Sequence, residues 1–162
     1  MNELSFRPSD IWKRANVDTV ASILENKGRD VISISPDATV YEAIVTMADN
    51  QVGALLVLSG RELVGIIAER DYARKVILRG RSSKETLVYE VMTPSLITVS
   101  LSHTVDECMK IVTENRIRHL PVVDNGELQG LVSIGDLVKT IISSQAYTID
   151  ELHAYIEAAY PA

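Results

Sequence analysis

The chain has 162 residues, 46% of them hydrophobic but only 5% aromatic, so its core must be aliphatic. A formal net charge of −6 and a pI near 5.1 argue against a general nucleic-acid binder, whose affinity rests on a basic surface. No apolar run approaches a membrane span, the opening MNELSFRPSD lacks a signal-peptide core, and the single Cys108 can form no internal disulfide, so a reducing, cytoplasmic setting is expected.

The first predicted element is a helical segment over 10–27, carrying Ile11, Val20, Ile23 and Leu24 and stopping at Gly28. A short strand, VISI, follows at Val31. Thr39-x-x-Glu42 then has the spacing of a capping box, in which hydroxyl and carboxylate satisfy the free amides of a first helical turn. That helix buries Val40, Ala43, Ile44 and Met47 and ends near Asn50, a residue suited to a left-handed closing conformation. ALLVLSGRELVGIIA reads as two strands about a tight turn, with a helix from Arg70 to Leu78 behind it. A linker over 81–94 leads to a second strand of the first kind, LITV. Thr104-x-x-Glu107 opens another helix, whose stripe is Val105, Cys108, Met109 and Val112 and whose end lies near Asn115. Cys108 is therefore expected to be a buried structural thiol. His103, His119 and His153 have no zinc-like spacing. In HLPVVDNGELQGLVS, Asn125-Gly126 is a strong hairpin signal, and Pro121, lacking an N–H, is expected on an edge strand. A helix over Gly135–Ile142 closes this part. Thr148-x-x-Glu151 then suggests a separate C-terminal helix ending before Pro161.

The chain is written twice. An offset of 65 residues superposes Ile32 on Ile97, Thr39 on Thr104, Glu42 on Glu107, Asn50 on Asn115, Gly65 on Gly130 and Asp71 on Asp136, without a gap. Each copy reads β-α-β-β-α. The predicted class is α/β (α+β), with repeat one at 28–80, repeat two at 95–144, and extra helices at 10–27 and 145–162.

VISISPDATVYEAIVTM, LVGIIAERDYAR, VMTPSLITVSLSHTVDECMKIV, IRHLPVVD and LQGLVSIGDLV together resemble a tandem CBS-domain pair, or Bateman module, of the bacterial stand-alone kind. The resemblance implies two repeats packed about a pseudo-two-fold and a non-catalytic regulatory role in signal transduction. It implies binding of an adenine nucleotide, AMP first, with ADP, ATP or NAD(H) as candidates, in clefts between the repeats. It also implies a homodimer and an effector protein on a separate chain. Carried over by position, one cleft would combine Asp71, Arg70 and Ala68 with Ile97, Ile117, Arg118, His119 and Pro121. The other would combine Asp136, Ser133 and Gly135 with Ile32, Val52, Gly53 and Ala54. Each Asp would take the ribose hydroxyls.

Plainer readings stand beside these. Ser133-x-x-Asp136 is also a capping box and needs no ligand. In the other copy Ala68 has no hydroxyl, yet Asp71 remains. Arg118 and His119 suit a phosphate, though a solvated rim would look the same. The first cleft suits the more anionic ligand; the second suits a less charged one, or one whose phosphates reach Lys27. Two rivals are a ligand-free interaction module and a nucleotide-processing enzyme. For the enzyme there is no P-loop, no Gly-x-Gly-x-x-Gly and no nucleophile motif.

Overall fold

The structure, a computed structural model, describes residues 18–94 and 96–159. In chain order these form α1 (Val20–Lys27), β1 (Ser33–Ile34), α2 (Val40–Asn50), β2 (Ala54–Ser59), β3 (Glu62–Ala68), α3 (Glu69–Lys75) and a 3-10 turn (Ile77–Arg79). Then come α4 (Val88–Val91), α5 (Val105–Asn115), β4 (His119–Asp124), β5 (Glu127–Ser133) and α6 (Ile134–Ala159). They sort into two units of mixed helix and strand. One is Asp30–Thr98; the other joins the described residues of Met1–Arg29 to those of Val99–Ala162. The expected start of the N-terminal segment, Asp10 with Ile11, lies outside the described residues, as do Tyr160 and Pro161.

In Asp30–Thr98 the sheet order is β1-β2-β3, with β1 parallel and β3 antiparallel to β2. Its core is Val40, Ala43 and Met47 of α2, Leu55 and Val57 of β2, Ile67 of β3, and Val76, Val88 and Val91. The capping box forms as expected. Glu42 N–H donates to Thr39 Oγ1 at 3.1 Å, and Thr39 N–H donates to the Glu42 carboxylate at 2.7 Å. The helix ends at Asn50, but the left-handed residue is the next one, Gln51, at φ 55°. Asn50 instead folds its side-chain amide back onto the Thr46 carbonyl at 2.8 Å. The expected helix 70–78 is shorter: α3 stops at Lys75 and the chain tightens into the 3-10 turn.

The other unit repeats this plan with one instructive difference. Its core holds Val20, Ile23, Leu24, Val105, Cys108, Val112, Leu120, Val122, Val132 and Leu137. Thr104 and Glu107 form the same reciprocal cap, and the left-handed closing residue is Arg116, not Asn115. The β4–β5 hairpin turns on Asn125 and Gly126 at φ 51° and 75°, the two positive values of a type I′ turn. In repeat one, Leu56 N–H donates to Ile32 O at 3.3 Å and β1 joins the sheet. Pro121 occupies the position of Leu56 and has no N–H to give. Strand pairing there shrinks to a single bridge between Val99 and Val122. Pro121 does lie on an edge strand, as expected, since β4 pairs only with β5 in a two-stranded sheet and meets Val99 through that one bridge. Val99 lies along β4, donating to Pro121 O at 3.0 Å and accepting from Val123 N–H at 2.9 Å.

Neither unit coincides with a sequence repeat. α4, from the linker, closes the first unit: Val40 N–H donates to Thr86 O and Val88 N–H to Ala38 O, both at 2.8 Å. The segment preceding repeat one plays that part in the second unit. There Val105 N–H donates to Asp18 O and Val20 N–H to His103 O, both at 2.9 Å. So α1 is no accessory; it completes the core of repeat two. The matched glycines register both approaches. A Cβ on Gly65 would stand 2.6 Å from Met92 Sδ, and one on Gly130 would stand 2.9 Å from Leu24 Cδ2. The expected break at 144–145 is also corrected. α6 runs unbroken for 26 residues through Thr148, because no Gly or Pro interrupts it after Gly135.

Candidate functional site

The candidate site of the second unit grows from the open end of its hairpin. Register places His119 opposite Ser133, and Ile134 N–H donates to Arg118 O at 2.9 Å. The start of β4 therefore lies beside the start of α6. Asp136 Oδ2 accepts Ser133 N–H at 2.9 Å, while Asp136 N–H donates to Ser133 Oγ at 3.2 Å. The capping box is real. The same Oδ2 also accepts from Lys27 Nζ at 2.6 Å, and that ammonium donates to Leu131 O at 2.8 Å. Burial pushes the Asp136 carboxyl up, but the bonds from Lys27 and Ser133 outweigh it and hold it below the ordinary range. His119 is held low as well, by burial first and then by Arg118, with Asp136 pulling the other way and Lys27 adding to the fall. Its ring is thus neutral at pH 7. The exposed Arg118 makes no side-chain hydrogen bond or ion pair among the described residues.

The first unit builds the same corner from poorer materials. Ala54 pairs with Ala68, and Glu69 N–H donates to Gly53 O at 3.0 Å. Asp71 Oδ2 accepts Ala68 N–H at 2.9 Å, so half of the box forms even without a hydroxyl at 68. The cation here is Lys75, one turn along α3, 2.9 Å from Asp71 Oδ1 and 2.7 Å from Val91 O. Arg70 is exposed.

This twofold hairpin-and-helix plan has known counterparts. The family profile of the CBS domain matches residues 17–77 and 88–143. This chain belongs to the CBS-domain family. It is 40% identical over 151 residues to the CBS domain-containing protein CBSX3, mitochondrial, of Arabidopsis thaliana, covering 88% of this chain and 73% of that one. It is 30% identical over 127 residues to the CBS domain-containing protein YhcV of Bacillus subtilis, covering 78% and 90%. A solved structure described as a signal-transduction protein with CBS domains, from Burkholderia ambifaria, superposes with a TM-score of 0.76 at 52% identity, over 78% of this chain and 96% of that one. The fold class is therefore that of CBS-pair proteins, and the domain content is that of a CBS-pair regulatory module.

Within each CBS unit the expected site residues fall into compact groups. Arg118, His119, Ser133, Gly135 and Asp136 share one end of β4–β5. Gly53, Ala54, Ala68, Arg70 and Asp71 share the corresponding end of β2–β3. Ile117 and Val52 are half-buried just before these strands, Pro121 is buried within β4, Ile32 is half-buried and Ile97 is exposed. Arg116 has a backbone duty as the left-handed residue that ends α5. From the sequence, Lys27 is expected to meet ligand phosphates in the Asp136 cleft, but not to be the counter-ion of Asp136 itself. The two are 109 residues apart, and only the docking of α1 on repeat two brings them together. Among the described residues no helix is long and apolar enough to cross a membrane.

Proposed function

We propose that this CBS pair is a non-catalytic sensor of adenine nucleotides, AMP foremost, with ADP, ATP and NAD(H) as the next candidates. The observation that carries this reading is one end of the β4–β5 hairpin, which holds Lys27, Ser133 and Asp136 and, on the opposite strand start, Arg118 and His119, residues that the family resemblance assigns to two different clefts. It joins an ionised carboxylate to an uncommitted guanidinium. A carboxylate with one oxygen open can accept from a ribose hydroxyl, and a guanidinium fork matches a phosphate. In the proposed assignment Asp136 and Asp71 take ribose. Arg118, with His119 beside it in sequence, and Arg70, beside Asp71, take phosphate, and Ile32, Ile97, Ile117, Val52 and Pro121 supply apolar contact for adenine. Gly53, Ala54, Ala68, Ser133 and Gly135 supply close backbone approach. The working form is a homodimer that reports to an effector on another chain, in the cytoplasm.

Calorimetry with AMP, ADP, ATP and NADH tests the reading. Heat is expected with at least one, and Asp136→Asn should weaken binding about ten- to a hundredfold, consistent with the loss of a charge-assisted bond, about 1.5–3 kcal/mol. No heat and no thermal shift with any of the four would leave the ligand-free interaction module as the better account. Conversion of a recovered nucleotide would favour the enzyme.

A further inference from the structure

Lys27 is the last residue of α1, outside both sequence repeats, yet its ammonium sits 2.6 Å from Asp136 Oδ2 and 2.8 Å from Leu131 O. The carboxylate assigned to ribose is thus already half engaged: Oδ2 serves both Lys27 and Ser133 N–H, and Oδ1 has no partner among the described residues. Oδ1 can accept one ribose hydroxyl as it stands, while a ribose that engages both oxygens through its two cis hydroxyls competes with Lys27 for Oδ2. The Lys27 side chain is 36% exposed and rides on a flexible four-carbon stem, so its head group can swing without disturbing the core. Swinging away strands a cation unless something anionic receives it. Arg118 and the neutral His119 ring occupy the same corner and offer no negative charge to take over from Asp136.

Resting on the nucleotide reading above, we propose that Lys27 is a specificity-determining residue that passes from Asp136 to the phosphate of the bound nucleotide. An uncharged nucleoside that competes for Oδ2 exchanges the Lys27–Asp136 pair only for solvation of the ammonium, whereas a nucleotide replaces the pair with a phosphate contact. The lysine therefore selects for phosphorylation of the ligand rather than for its base. Asp71 lacks this arrangement, because its lysine stands on its own helix and the adjoining strand begins at Ala54, just after Gly53.

The test is calorimetry of the full chain with AMP and with adenosine, in wild type, Lys27→Met, Lys27→Gln and Lys27→Arg, each checked for a native circular-dichroism spectrum. The preference for AMP over adenosine should fall at least tenfold in the Met and Gln variants, ~1.4 kcal/mol. AMP should weaken and adenosine should hold or tighten, while Lys27→Arg keeps most of the preference. An unchanged preference, or equal weakening of both ligands, overturns the role of Lys27 while leaving nucleotide binding intact. A wild type that binds AMP no better than adenosine also overturns it. Binding of neither ligand to wild type overturns the role of Lys27, and absence of binding by ADP, ATP and NADH as well overturns the nucleotide reading itself.

Discussion

Replacing Gly65 with Ala should destabilise the protein more than the same change at its repeat partner Gly130, and Gly53→Ala should do neither harm. None of the three glycines has positive φ, so the difference lies in what the added methyl meets. At Gly65 it would lie 2.6 Å from Met92 Sδ, 3.1 Å from Met92 Cγ and 3.0 Å from the Thr93 carbonyl oxygen. That stretch is pinned, since Thr93 N–H donates to Ile66 O at 2.9 Å and Ile66 N–H to Thr93 O at 3.1 Å. Relief therefore requires moving backbone. At Gly130 the methyl meets only the Leu24 methyls, at 2.9 and 3.1 Å, which can rotate at some cost because Leu24 is fully buried. At Gly53 the nearest atom is Glu69 Oε2 at 3.7 Å, an ordinary contact. Overpacking costs about 1–3 kcal/mol, and alanine offsets about 0.4–1 kcal/mol by restricting the unfolded chain. The net expectation is about 2 kcal/mol lost for Gly65→Ala, about 1 kcal/mol for Gly130→Ala, and no loss or a slight gain for Gly53→Ala. For a chain of this size about 2 kcal/mol corresponds to roughly 4–8 °C in Tm. Urea midpoints and thermal scans on the three variants decide it. A Gly65→Ala protein as stable as Gly53→Ala would refute the close docking of α4 on β3.

Cys108 is fully buried, and burial first, then the Glu107 charge, pushes its thiol up to about 11, so the native protein should resist thiol reagents at pH 8 and react only in denaturant. Rapid native labelling would contradict the packing of α5. His119 and Asp136 predict two acid-sensitive steps. The folded His119 binds its proton less readily than the unfolded chain, so stability should decline as pH falls below about 6.5, and His119→Gln should flatten that part of the urea-midpoint curve. Asp136, also held low, contributes stability above about pH 3.8 that is lost as pH falls further; Asp136→Asn should remove that contribution, and an unaltered acid limb would count against the ion pair with Lys27.

Local chemistry was the legible part. Thr39, Glu42, Thr104, Glu107, Asn125 and Gly126 act within a few residues of themselves, and each does what its spacing implies. The repeat was readable because the two copies align at a constant offset of 65, and the CBS family because the motifs of both copies resemble it. The exchange of α1 and α4 was hidden because it breaks that offset: Val20 and Val88 play equivalent parts but stand 68 residues apart. Pro121 was read rightly as an edge signal, and the reason is the loss of the one bond that Leu56 makes. Thr148-x-x-Glu151 looked like a start signal, but a capping pattern starts a helix only where the chain before it is not already helical. At the candidate site the carboxylates and the basic strand start were visible. Neither lysine partner was read from the sequence: Lys75 is an i,i+4 neighbour of Asp71, while Lys27 reaches Asp136 only through tertiary docking.

The exchange of α1 also orders events during synthesis. Val20, Ile23 and Leu24 leave the ribosome long before the strands that bury them, with all of Asp30–Thr98 made in between. At about 5–20 residues per second those side chains wait several seconds at least for β4, β5 and α5 to emerge. Asp30–Thr98, made of one continuous stretch, can close as soon as it is released. The nascent chain therefore carries an unsatisfied apolar helix ahead of a finished first half, and that interval is when it has most need of a chaperone.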